Sequence, residues 1–317
     1  MKFFQIVPTD TNYDFIGKFK YFITFSVVSG ILVIAGLLTK GLNYGIDFTG
    51  GTVIQAKFKN AENAEQVRKL VAELGEGDAS VVALGDANQE YLITTRTASE
   101  KGANPLNKRL VEKLGADQVT IEKVDIVGPK VGAELRTASL LALIYSVILI
   151  TIYIWFRFDF RFAPGATIAM VHDLILSSGL YLITGREFTI TAVAALLTIA
   201  GYSVNDTVVV YDRVRELIKK GGDALPLPVL INRAINLTLS RTLLTSGVTF
   251  ISIIPIIFFC GGEIQSFAIA ICFGIFVGTY STVYIASPFT IYVERYMESR
   301  NAKGTAGGKT KTKPATA

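Results

Sequence analysis

Apolar residues along this chain gather into blocks of about 18 or more, long enough to cross a bilayer core of about 30 Å as helix. Six such blocks cover residues 21–38, 138–156, 162–183, 189–211, 235–260 and 267–293, and each predicts a membrane span. A β-barrel is excluded, because its spans would be about ten residues of alternating polarity. No convincing small-residue cleavage site follows the first block, so it reads as a retained span.

Between the first two blocks the pattern changes period. Residues 52–58 alternate and are rich in strand formers, and residues 60–75 place Ala64, Val67, Leu70 and Val71 on one helical face before Gly75. Residues 79–84 and 91–95 read as two strands across the turn Gly85-Asp86-Ala87-Asn88. A second helix is expected from Asn104, with Pro105 in its first turn, to Gly115, followed by a strand over 118–127. The order β-α-β-β-α-β is that of a ferredoxin-like sandwich, a fold that hosts many functions. The predicted class is therefore a polytopic α-helical membrane protein. It has six transmembrane helices and one external α+β ferredoxin-like (βαββαβ) domain between spans one and two. Residues 1–38 form the N-terminus and first span, 39–137 the external domain, 138–293 a five-helix region and 294–317 a basic tail. From Asn301 that tail is Lys/Thr/Gly/Ala-rich and is expected to be disordered, with an unspecific attraction to anionic lipid.

Charge sets the expected orientation. Arg157 and Arg161 lie between blocks two and three, and Arg213, Arg215, Lys219, Lys220 and Arg233 between four and five. The opposite short loops hold only Arg186, beside Glu187, and Glu263. The positive-inside rule then puts both termini in the cytoplasm and the polar insertion outside, in a multi-pass membrane protein. The net charge of +5 is mostly this topology plus the tail, and no basic–aromatic face points to nucleic acid. One histidine in the whole chain gives no zinc-site spacing, and no metal or other cofactor is expected. Cys260 and Cys272 lie in apolar blocks and read more readily as small buried hydrophobes than as a disulfide.

A few polar residues interrupt the spans. Asp206 lies six residues before Asp212, which marks the end of span four, so it sits about 9 Å into the membrane. Arg241 lies eight residues after Arg233, about 12 Å from the same surface on span five, so the two charges can face each other. Burial disfavours a carboxylate's charge and a neighbouring arginine favours it, so a small change of geometry can load or release a proton. A static ion pair fits the spacing equally well. His172 and Asp173, with Asn205, form a secondary polar site, the first two about 16 Å deep. Consecutive helical residues point about 100° apart, so His172 and Asp173 are not expected to form one side-chain relay. A packing hydrogen bond from His172 is the plainer reading. Glycines and serines at Ser246, Gly247, Gly274 and Gly278 are expected to permit close helix contact. Residues 226–240 read as an amphipathic stretch on the cytoplasmic surface before span five.

Four motifs carry a resemblance. Gly45-Ile46-Asp47-Phe48-Thr49-Gly50-Gly51 leaves the first span; from spacing alone it is a junction turn or a hinge. Val127-Gly128-Pro129-Lys130-Val131-Gly132-Ala133-Glu134-Leu135 precedes the second span. Gly201-Tyr202-Ser203-Val204-Asn205-Asp206 lies in the fourth, and Ser240-Arg241-Thr242-Leu243-Leu244-Thr245-Ser246-Gly247 in the fifth. In this order and topology they resemble the SecD/SecF family of protein-export membrane proteins, and the Phe-Thr-Gly-Gly form resembles its SecF branch. The resemblance covers all but about the last fifteen residues. It implies a pseudo-symmetric partner of the SecD type and association with the SecYEG channel and a translocating unfolded polypeptide. It also implies that Asp206 and Arg241 conduct protons whose inward flow drives export, with Gly45, Asp47, Gly50 and Gly51 as the signature motif.

Rival functions fit less well. An intramembrane aspartyl protease lacks its Gly-x-Gly-Asp, since the run here is Ser203-Val204-Asn205-Asp206, and a rhomboid-type serine site is equally absent. The chain is thus not read as an enzyme. Half of a resistance-nodulation-type exporter of small molecules or lipids is the remaining alternative, with a scaffold as a third.

Overall fold

The computed structural model describes residues 8, 11–59, 63–84, 89–96, 105–221 and 225–307. The first long helix, α1 (Phe19–Thr39), leads into a single helical turn, α2 (Ile46–Thr49), and then a small sheet domain. That domain runs β1 (Gly51–Phe58), α3 (Ala64–Glu73), β2 (Ser80–Leu84), β3 (Glu90–Thr95), α4 (Leu106–Leu114) and β4 (Val119–Val127). The strands pair antiparallel in the order β2-β3-β1-β4, the ferredoxin-like arrangement anticipated from the period changes. The expected turn at Gly85–Asn88 and the helix start at Asn104 lie outside the described residues.

Local chemistry explains the helices of this domain. Asn63 and Gln66 close a capping box at α3, with Asn63 N donating to Gln66 Oε1 at 2.8 Å. Val67 and Val71 of α3 and Leu106 and Leu110 of α4 pack on Ile54, Ala56, Tyr91 and Ile93, so both helices cover one sheet face. The other face overlooks the loops that join the spans. A crevice of about 600 Å³ lies between them, lined by Val53, Gln55, Leu92, Lys123, Gly262 and Glu263.

After β4 the chain enters α5 (Pro129–Arg157), α6 (Ala163–Thr184), α7 (Ile190–Lys219) and α8 (Leu227–Phe259). Then α9 (Gly262–Ser281) passes through a π-helical turn (Thr282–Ala286) into α10 (Ser287–Gly307). Among the described residues six helical segments are long and apolar enough to span a membrane, the last formed by α9 continuing into α10. The segments α7 and α9 are mostly buried, whereas α5 and α8 present most of their apolar surface outward. Gly274 and Gly278 let α9 close on α7: a Cβ on Gly278 would stand 3.1 Å from that of Ser203. Gly247 has no such neighbour.

Three boundaries differ from the sequence reading. The stretch 226–240 and span five are one unbroken helix, because Pro226 and Pro228 start α8 and no breaker follows before Pro255. The second span starts at Pro129, since the re-entry motif is itself the first turns of α5. Helix α10 runs to Gly307, past the expected start of the tail at Asn301, and residues 308–317 lie outside the described residues. Both cysteines are free.

At the end away from the sheet domain, the segment before α1 is strapped onto α8. Tyr13 N donates to Asn236 Oδ1 at 2.8 Å and Phe15 N to Asn232 Oδ1 at 3.0 Å. Both asparagines return an N–H to the Tyr13 carbonyl, each at 3.0 Å. Four residues apart on one helix face, the two amides replace the backbone partners that an extended segment otherwise lacks.

Candidate functional site

Helices α6, α7 and α9 enclose a polar layer between two apolar clusters. One cluster gathers Ile154, Phe162, Met170, Tyr211 and Ile231; the other, nearer the sheet domain, gathers Tyr181, Phe188, Leu196, Ile199 and Ile275. Between them Asp173 is fully buried. Ser203 Oγ and Ser281 Oγ donate to its Oδ2 at 2.5 and 2.6 Å, and His172 Nδ1 lies 2.9 Å from its Oδ1. Toward the strapped end, Thr207 and Thr282 share a hydrogen bond of 2.9 Å beside the π-helical turn. Such turns often accompany functional sites because they shift one residue out of helical register.

The contact between His172 and Asp173 corrects the expectation that sequence neighbours cannot form a relay. Their Cβ atoms diverge as helical geometry requires, but the imidazole reaches along the helix and back to the adjacent carboxylate. The layer is therefore centred on Asp173 as much as on Asp206.

Asp206 is 2 % exposed, and Thr279 Oγ1 donates to its Oδ2 at 3.4 Å, with Ser246 bonded to Thr279 in turn. No ion pair joins Asp206 to Arg241, which is exposed and within electrostatic range only. Asn205 likewise faces outward from α7 and takes no part in the layer. The structure thus brings His172 and Asp173 together, places Asp206 three residues along α7 from the Ser203 that bonds Asp173, and leaves Arg241 and Asn205 exposed. Ser203, Thr207, Thr279, Ser281 and Thr282 were missed by the sequence reading. Part of their signal was present in Ser203 and Thr207, four residues apart, and Thr279 and Thr282, three apart, on apolar spans.

The signature motif reaches this bundle through its loops. Gly45 N donates to the Phe188 carbonyl at 3.0 Å, and Phe188 N to that of Asn43 at 2.7 Å. Asp47 Oδ2 accepts from Ile190 N at 2.9 Å. Thr189, the residue before α7, gives no side-chain cap, so a carboxylate from the motif caps the helix that carries Asp206. Gly50 (φ 75°) and Gly51 (φ 146°) occupy conformations that L side chains rarely adopt. Phe48 stacks with Phe188, joining motif and span as one aromatic contact.

Beside the motif, half-buried Glu187 has its carboxyl pushed above the ordinary range by burial and by Glu263 and Asp47, with Arg96 partly offsetting them. Folded protein therefore holds that proton more tightly than unfolded chain does. Stability should fall as pH rises from the ordinary carboxylate value through the raised one. Glu187→Gln is expected to melt higher than the wild type at neutral pH and alike below the ordinary value. An equal difference at both pH values would contradict this.

Comparison with known proteins bears on the whole chain. Residues 107–296 match the family described as Protein export membrane protein SecD/SecF, C-terminal, and residues 35–62 match the SecD/SecF GG Motif. The chain belongs to the SecD/SecF family. Protein translocase subunit SecF of Calditerrivibrio nitroreducens is 39% identical over 307 residues, covering 94% of this chain and 99% of that protein. Protein translocase subunit SecDF of Brucella abortus is also 39% identical, over 90% of this chain but only 38% of its own length. The crystal structure of SecDF from Thermus thermophilus superposes with a TM-score of 0.79 at 36% identity, covering 92% of this chain and 40% of that one. SecF relatives thus match this family member end to end, whereas SecDF proteins hold its counterpart as about two fifths of a longer chain.

Proposed function

We propose that this chain is the SecF-type half of a proton-driven protein-export machine in a bacterial inner membrane, both termini in the cytoplasm. Its pseudo-symmetric partner is a SecD-type subunit, and the pair works beside the SecYEG channel on a translocating unfolded polypeptide. Relatives in which both halves lie on one SecDF chain support that pairing. The exposed side chains of Arg241 and Asn205 suit a partner surface.

The observation that carries the reading is the pair of buried carboxylates, Asp173 and Asp206, in a layer otherwise made of hydroxyls and one imidazole. Ionisable groups are costly inside a span and commonly mark ion pathways. Asp206 and Arg241 form the coupling pair. They stand apart in this conformation, and a change in their separation alters the cost of holding charge on Asp206. The motif from Gly45 to Gly51 passes that change to the sheet domain through the Asp47 cap on α7. Small-molecule export is disfavoured because the relatives are translocase subunits.

The test uses inverted membrane vesicles in which the partner is present and this chain is absent or restored. Restoring it should raise preprotein import only while a proton gradient is maintained. Equal stimulation after the gradient is collapsed by a protonophore would reject proton drive.

A further inference from the structure

Helix α6 carries buried polar atoms that the coupling pair does not use. Asp173, Ser177 and Tyr181 are spaced four residues apart, so they line one face, rising about 6 Å and about 12 Å toward the sheet domain. Ser177 is fully buried and Tyr181 is 2 % exposed. Yet Ser177 Oγ and Tyr181 OH have no hydrogen-bond partner among the described residues, and neither does His172 Nε2. A buried hydroxyl left without a partner is destabilising, so two on one helix face above a carboxylate call for a purpose. Above Tyr181 lies Phe188, edge to face at 5.4 Å, and Phe48 of the signature motif stacks on Phe188. The line therefore runs from the underside of the motif to the centre of the polar layer.

We infer that this face of α6 is the entry half of the proton route, with Tyr181 and Ser177 ordering water that delivers protons to the His172–Asp173 pair. The inference rests on the proton-drive reading and adds to it a direction and a set of residues. An excess proton arrives as hydronium; each hydroxyl oxygen accepts it and releases its own proton to the next water, ending unchanged, so hydronium reverts to water and the Asp173 carboxylate becomes a carboxylic acid. Phe48 and Phe188 close the mouth, so movement of the motif controls access to it.

The discriminating variant is Ser177→Ala with Tyr181→Phe, made in the full chain and assembled with its partner in vesicles. Both changes delete unpaired oxygens and leave the packing nearly intact, so a merely structural role predicts equal or higher thermal stability and unaltered export. A role in proton entry predicts the same stability with gradient-driven import reduced about 100-fold or more, the range lost when a proton-transfer group is removed. Unchanged import, or import reduced only in proportion to protein level, would overturn the inference. If the double variant fails to accumulate, Tyr181→Phe alone decides by the same two outcomes. Asp206→Asn in parallel keeps the claims separate: if it retains gradient-driven import, the proton-drive reading has failed, whereas its loss beside a fully active α6 variant overturns only the entry route.

Discussion

Asp206→Asn should insert, fold and bind its partner normally while losing essentially all proton-dependent stimulation of export. The side chain is buried, and its one side-chain hydrogen bond among the described residues comes from Thr279 Oγ1, a donor that an amide oxygen accepts as well. The amide keeps the shape and the acceptor and adds one buried N–H donor group, a change of about 1–3 kcal/mol. What disappears is the capacity to bind and release a proton. Membrane levels and partner co-purification control for folding, and preprotein movement with and without a gradient reads the function. Full wild-type gradient dependence in the variant would remove Asp206 from the mechanism.

The second large effect concerns two glycines four residues apart at the start of α5. Gly132 faces the signature turn, and a Cβ there would stand 3.0 Å from Gly50 N and 3.1 Å from the Phe48 carbonyl carbon and oxygen. Those neighbours are backbone and cannot rotate away. At Gly128 a Cβ meets nothing within 4 Å, and its φ of −70° suits any residue. Gly132→Val is therefore expected to destabilise the junction by about 1–3 kcal/mol or more, as overpacking does, and to deplete the protein from the membrane. Gly128→Val should accumulate normally. Limited proteolysis of intact membranes compares the two, and equal resistance would show that the turn does not depend on this approach.

The fold was legible because its signals are local. Alternation in 52–58, the stripe of Ala64, Val67, Leu70 and Val71, and the apolar blocks each state their period within one element. The ferredoxin-like order followed from reading those periods in sequence. The Asp206 layer was half legible: a carboxylate in an apolar span stands out by composition, but its partners do not. Arg241 matched it in depth, yet depth does not fix the direction in which a side chain points. The Asp47–Ile190 bond joins residues 143 apart, and no periodicity announces such a contact. His172 and Asp173 were misjudged by treating the Cβ direction as the direction of the whole side chain.

The strap formed by Tyr13 and Phe15 on Asn232 and Asn236 also sets a timetable for biogenesis. Asn236 leaves the ribosome 223 residues after Tyr13. At about 5–20 residues per second that interval is roughly 10–45 s, far longer than a side chain needs to find a waiting partner. During it the backbone of residues 13–16 has only water and lipid headgroups for company. Closure of the strap thus waits for the fifth span, and an unfastened segment at residues 13–16 marks a nascent chain whose fifth span has not yet entered the bilayer.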